Sequence, residues 1–150
     1  MNRNPPPLIV NAMRRISIIA IVTAFMVEVA VDQVISFVLV FMFAIGTITP
    51  GMTEVDVQEA TEAISNSGAY LAAVVVCGTA TTIGGGYFAA RLARTFPYYN
   101  GLAIGIVGLA LCLYFWRVNP LWLSIFSVIS VIPASIFGAH LAKPHLPVEE

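Results

Sequence analysis

Hydrophobic side chains run through this chain in four long segments, separated by short polar stretches. The segments cover residues 16–45, 69–90, 102–116 and 121–141. A helix needs about 20 apolar residues to cross a hydrocarbon core about 30 Å thick, so the second and fourth segments fit a membrane span directly. The third is short, and we expect residues 99–101 and Arg117 at its ends to lie in the interfaces. The pattern predicts an all-α polytopic membrane protein with four transmembrane helices.

The first segment is longer than a membrane requires. As one helix it would measure about 45 Å at 1.5 Å per residue, so it must tilt, project from the membrane or break. We expect it to project on the outer side.

The connection between the first two segments, residues 46–68, is acidic and carries no basic side chain. Thr53 is a candidate N-cap, Val57, Ala60 and Ile64 make a weak apolar face, and Gly68 is suited to end a helix. These features predict a short extracytoplasmic amphipathic helix. We expect it to be a solvated connector, with a docking element for a partner as the alternative.

Basic residues near the span ends predict the orientation of the chain, because cytoplasmic loops carry an excess of Lys and Arg. With four spans, Arg117 alone falls on one side of the membrane. Six basic residues fall on the other side: Arg3, Arg14, Arg15, Arg91, Arg94 and Lys143. Both termini are therefore predicted to be cytoplasmic.

The composition excludes several classes of function. Apolar residues make up 59% of the chain and charged residues 10%, against roughly 25% charged in soluble domains, so one membrane domain uses residues 1–150. The basic residues are scattered and the formal net charge is −1, which argues against a nucleic-acid partner. Cys77 and Cys112 belong to no metal-binding motif, and His140 and His145 lie too near the end of the fourth span for haem. We expect no metal, no cofactor and no enzyme activity.

Small residues are expected to bring the helices together, because helices in lipid associate where backbones can approach closely. The triple glycine at residues 84–86 is best explained by packing against the third span, with a hinge or a ligand contact as the alternative. The predicted packing residues are Gly78, Gly85, Gly101, Gly105, Gly108, Ala134 and Gly138.

Glu28 and Asp32 are the most informative pair in the sequence. They lie one helical turn apart inside the first apolar segment, and an acid in hydrocarbon is a candidate functional site by default. With Ala20, Ala24 and Ser36 they recur every four residues, so one stripe of small and polar side chains should face protein.

Two interpretations of this pair remain open. In the first, the two carboxylates repel each other and so favour binding of a proton or a cation. In the second, they make a structural contact with Arg117, with a hydroxyl such as that of Thr79, Thr81 or Thr82, or with another subunit. The candidate residues for ion, proton or partner binding are Glu28, Asp32, Ser36, Thr82 and Arg117.

The stretch GGGYFAARLARTFPYYNGLAIGIVG, residues 84–108, resembles a motif of small uncharacterised bacterial four-helix integral membrane proteins. In that motif two glycines and an aromatic precede A-A-R-x-A, a short loop and a glycine-bearing helix. The resemblance covers about a sixth of the chain. It implies a location in the bacterial inner membrane and carries no activity with it.

From the sequence we expect a small non-catalytic membrane subunit or scaffold of a larger inner-membrane assembly. Its expected partners are membrane lipid and other membrane subunits or further copies of the chain. The alternative is a small oligomeric proton- or cation-coupled transporter or channel that uses Glu28 and Asp32.

Overall fold

The computed structural model describes residues 16–94, 96–117 and 119–143. In these residues the chain is all-helical and contains no strand, as predicted. The helices are α1 (Ile18–Ala44), α2 (Glu54–Ser65), α3 (Gly68–Ala93), α4 (Pro97–Tyr114) and α5 (Leu121–Ala142). All except α2 are long and apolar enough to cross a membrane. The four predicted spans are therefore confirmed, although α4 begins five residues earlier than the third apolar segment.

Local chemistry sets where the long helices begin. Ser17 and Ser67 are N-caps whose hydroxyl oxygens accept hydrogen bonds from the amides of Ala20 and Tyr70, both at 3.3 Å. Pro97 occupies the first turn of α4. Amides in the first turn have no acceptor within the helix, so the amide hydrogen that proline lacks costs no hydrogen bond. This explains why α4 includes the polar start Pro97–Asn100, which a count of apolar residues does not detect.

Helices α3, α4 and α5 pack on one another, while α1 packs chiefly on α3 and touches α4 over a smaller area. Backbone contacts at glycines hold the three-helix unit together. A Cβ at Gly86 would collide with the backbone carbonyl of Ser135, and one at Gly138 would collide with that of Ile83. Only glycine permits these two approaches, so α3 and α5 meet at van der Waals distance.

The glycines of α4 face α5. A Cβ at Gly101 would meet Ala139, one at Gly105 would meet the Ser135 hydroxyl, and one at Gly108 would lie 2.7 Å from Cγ2 of Val131. Ala134 on α5 is buried as well. Small side chains therefore form the contact surface of both helices.

The triple glycine does not pack against the third span as expected. Gly86 contacts α5, Gly85 contacts Glu28 on α1, and Gly84 has no neighbouring atom within 4 Å. Gly78, a predicted packing residue, has equally open space, so it makes no close approach to another helix of this chain. Helix α3 runs without interruption through all of these residues, and the hinge alternative has no support in its backbone.

Helix α1 is continuous over 27 residues, about 40 Å at 1.5 Å per residue. Of the three ways in which so long a segment could fit a membrane, a break is therefore excluded between Ile18 and Ala44. It buries only Ala20 and Ala24 fully. At its start the amide of Ser17 donates to Oδ1 of the fully buried Asn100 at 2.9 Å, which attaches α1 to the beginning of α4.

The connection between α1 and α3 contains α2, which begins at the predicted N-cap Thr53. Thr53 and Asp56 form a reciprocal capping box. The predicted end is wrong, because α2 ends at Ser65 with Asn66 as its C-cap, and Gly68 is instead the first residue of α3. Its half-buried side chains are Val57, Ala60 and Ile64.

Basic side chains divide between the two ends of the bundle. Arg91, Arg94 and Lys143 lie where α3 and α5 finish, which we call the Lys143 end. Arg117 lies in the turn between α4 and α5, at the opposite end, which we call the Asn119 end. Arg3, Arg14 and Arg15 lie outside the described residues.

Candidate functional site

The stripe of small and polar residues on α1 faces the bundle. Ala20 and Ala24 are buried and Glu28 and Asp32 are half-buried, but Ser36, the last residue of the predicted stripe, is exposed. Helix α1 also meets the other helices beside this stripe, where Phe25 packs against the core and Phe43 contacts the ring of Tyr70.

Glu28 lies against α3 at Gly85. A Cβ at Gly85 would collide with Oε2 of Glu28 and lie 3.2 Å from Oε1, so the missing side chain makes the space for the carboxyl. The side chain of Thr82, one turn away on α3, lies near this carboxyl. The Thr82 hydroxyl also lies 2.9 Å from the carbonyl oxygen of Gly78, to which it donates.

Asp32 lines a cavity of about 200 Å³ enclosed by parts of α1, α3, α4 and α5. Thr82, the neighbour of Glu28 on α3, lines the same cavity. The polar side chains around it are Asp32, Thr79, Thr82, Asn119, Ser127 and Ser130.

A second cavity of about 410 Å³ adjoins the first, between α1 and the helices α4 and α5. The two cavities share Asp32, Cys112, Asn119 and Ser127. Ser36 on α1 and Ser124 on α5 extend the polar lining further. We call the two together the polar cavity. It extends from Thr82 to Asn119, in the turn at the Asn119 end.

A third space, which we call the apolar crevice, lies between α1 and α3 and measures about 230 Å³. Glu28 is its one ionisable side chain, and Thr81 adds a hydroxyl. Val27, Val31 and Phe88 are between 40% and 47% exposed, so the crevice opens on the outer surface of the bundle. Its lining is Val27, Glu28, Val31, Ala80, Thr81, Gly84, Gly85 and Phe88.

The structure brings together most, but not all, of the sequence candidates. Glu28, Asp32 and Thr82 lie in one region, and Ser36 lines the outer part of the polar cavity. Arg117 is exposed and lies outside the described lining of all three spaces. A hydroxyl from α3, and not Arg117, is therefore the group beside Glu28.

Several lining residues were missed by sequence reasoning. Ser124, Ser127 and Ser130 recur every three residues, and this helical spacing is a signal that they share one face of α5. Asn119 gave no such signal, since an isolated Asn in a short loop is ordinary turn chemistry.

Chemically, the polar cavity suits a positive ligand. Its described walls carry a carboxyl group, hydroxyls and one amide, and no Lys, Arg or His. In the described part of the chain no three His, Cys, Asp or Glu side chains cluster as a metal site. The groups present fit a proton or a single weakly held cation.

Comparison of the chain with protein families, with curated proteins and with solved structures finds no match.

Proposed function

We propose that this chain is a small proton- or cation-coupled membrane transporter or channel, and that Glu28 and Asp32 carry the bound proton or cation. One observation supports this most. A polar cavity at the Asn119 end is lined by Asp32, one helical turn from Glu28, and by Thr82, and its described walls carry no basic side chain.

Polar groups inside a membrane need a partner. An unsatisfied polar group costs several kcal/mol in hydrocarbon, so irregular or polar surfaces at membrane depth line water-filled spaces or contact protein. Carboxylates in such a space attract cations from the water that reaches them. This physical requirement favours an ion-binding role over a purely structural one.

Within the described residues toward the Lys143 end, α3 and α5 are closely packed. The contacts of Gly86 and Gly138 leave no room for a side chain between these two helices. Transport therefore needs a second arrangement of the helices or a second copy of the chain. Helix α1 is the natural moving element, since it packs chiefly on α3.

For the location we propose the bacterial inner membrane, with both termini in the cytoplasm and the polar cavity open to the outside. The support is the arrangement of Arg91, Arg94 and Lys143 at one end and Arg117 at the other, together with the positive-inside rule. In this orientation α2 is a short amphipathic helix on the outer surface.

A non-catalytic subunit of a larger assembly is the second candidate. The outer part of the polar cavity, about 410 Å³, is open enough to receive side chains from another polypeptide. A Lys or Arg from a partner helix would pair with Asp32 there. Further copies of the chain or other membrane subunits are the partners of this candidate.

Reconstitution into liposomes separates the two candidates. The purified chain is incorporated with a pH-sensitive dye inside, and proton uptake is followed after a cation gradient or a potential is applied. We expect flux in the native chain, its loss in Glu28→Gln, and strong reduction in Asp32→Asn. Gln33→Leu, at the exposed position beside Asp32, is the matched control and should keep the flux.

No flux in the native chain, together with a stoichiometric membrane partner that copurifies and is lost in Asp32→Asn, would overturn the transporter proposal. That result would establish the subunit candidate instead.

A further inference from the structure

The apolar crevice gives Glu28 a second access route, distinct from the polar cavity. We propose that this crevice binds a small lipophilic organic cation, such as a quaternary ammonium compound, which enters from the bilayer. This inference rests on the proposed function and names its substrate class. It depends on three features: the lining of the crevice, the charge of Glu28 within it, and the position of Glu28 relative to the polar cavity.

The lining suits an organic cation better than an inorganic one. Apart from Glu28 and Thr81, the crevice presents only Val, Ala, Gly and Phe side chains. The Thr81 hydroxyl already donates to the carbonyl oxygen of Gly78 at 3.0 Å. An inorganic cation needs several oxygen ligands to replace its water, and this crevice does not supply them. Alkyl groups on an organic cation instead gain from contact with the apolar walls.

Two groups supply complementary charge. The Glu28 carboxylate on α1 is the ionisable group of the crevice, and Phe88 on α3 lines the same crevice. Aromatic rings attract a cation placed over their face within about 6 Å. No Lys, Arg or His belongs to the described lining, so nothing in it repels a positive ligand.

The glycines of α3 shape the crevice. Gly84 has no atom within 4 Å of where a Cβ would be, so it leaves space that a larger residue would fill. At Gly85, by contrast, that space is taken by the Glu28 carboxyl. Successive glycines thus provide one position for the acid and one for the ligand. This explains the glycines at positions 84 and 85, which helix packing does not explain.

Glu28 lines the crevice and is linked to the polar cavity through two neighbours. Asp32, one helical turn away on α1, and Thr82 on α3, which lies near the Glu28 carboxyl, both line that cavity. The titratable groups near Glu28 are Asp32 on α1 and Cys112 on α4, while α3 presents the hydroxyls of Thr81 and Thr82. A proton from the cavity and an organic cation from the bilayer compete for one carboxylate. Binding of the cation therefore releases the proton, and the two ligands are exchanged.

Binding to the purified full-length chain tests this directly. The probe is benzyltrimethylammonium, and the control ligand is neopentylbenzene, its uncharged carbon isostere. Calorimetry in lipid nanodiscs should detect binding of the cation only, and the affinity should rise with pH because only the ionised carboxyl binds it. Glu28→Gln should weaken binding about ten-fold or more, the effect of losing one charged contact.

Gly84→Leu tests the crevice itself. It fills the space beside Gly85, so it should weaken binding of benzyltrimethylammonium about ten-fold, while proton flux in liposomes is measured separately on the native chain. Val76→Leu adds bulk at an exposed position of α3 outside the crevice and should leave binding unchanged. Equal binding of the neutral isostere, or unaltered binding in Gly84→Leu, would overturn the inference and leave the proposed function standing.

Discussion

The carboxyl group of Glu28 occupies the space that a side chain at Gly85 would fill. This pairing places an acid of α1 inside the surface of α3. The position of the Glu28 carboxyl therefore depends on residue 85 having no side chain.

We predict that Gly85→Ala changes function more than stability. The new Cβ would meet the far end of the flexible Glu28 side chain, and that side chain can turn away at little cost. Flux in liposomes should fall, while the unfolding midpoint in detergent should shift little. Gly84→Ala, with open space at its Cβ, is the control for adding a methyl group to α3. Equal flux in both variants would contradict the prediction.

Gly86→Ala should destabilise the fold. Its Cβ would collide with the backbone of Ser135, which cannot rotate away, and overpacking of this kind costs about 1–3 kcal/mol. Equilibrium unfolding in mixed micelles measures the change. At Gly78 the same substitution meets open space and should be neutral or stabilise by up to about 1 kcal/mol, since Ala is the better helix former. A Gly86→Ala protein as stable as the native chain would show that α3 and α5 are less tightly packed.

Asn100→Ala should loosen α1 from the bundle. Asn100 is fully buried, accepts a hydrogen bond from the Ser17 amide at 2.9 Å and donates one to the carbonyl of Phe96 at 3.1 Å. Leaving such buried groups without partners costs about 1–3 kcal/mol. Proteolysis near the start of α1 should become faster. Asn66→Ala, at an exposed position, serves as the control.

The capping box of α2 predicts a pH dependence. Hydrogen bonds from the Thr53 hydroxyl and amide to Oδ2 of Asp56, at 2.7 and 2.9 Å, lower the pKa of Asp56 below its ordinary 3.8. Because this pKa is lower in the folded helix, the ionised acid stabilises α2 above pH 3.8, and the stabilisation is lost as pH falls through the lowered value. NMR titration of the carboxyl carbon should find the pKa rising toward 3.8 in Thr53→Ala. An unchanged pKa in that variant would exclude the capping box.

Much of the fold could be predicted because its causes are local. Apolar segment length predicts the four spans, and Ser or Thr before an apolar or acidic run predicts a helix start. The exceptions are local as well. Pro97 extends α4 into polar residues, and Asn66, not Gly68, is the C-cap of α2.

The candidate site was predictable only on α1. The four-residue recurrence from Ala20 to Ser36 predicts which face of α1 meets protein, because the spacing along one helix determines which residues share a face. The prediction holds as far as Asp32 and fails at Ser36, which is exposed. Which helix meets that face depends on tertiary packing. Gly85 makes the space opposite Glu28. Serines of α5 and Asn119 form the walls opposite Asp32. No pattern within α1 indicates these partners.

Water access to Asp32 tests the central claim most directly. Single cysteines are introduced as Asp32→Cys, Ser127→Cys and Val34→Cys in a Cys77→Ser, Cys112→Ser background, and a charged, membrane-impermeant thiol reagent is added to the reconstituted protein. Val34 is 64% exposed on the outer surface of α1 and lines none of the described spaces. We predict rapid labelling at positions 32 and 127 and none at position 34. Labelling at positions 32 and 127 as slow as at position 34 would mean that no polar cavity reaches the acid pair.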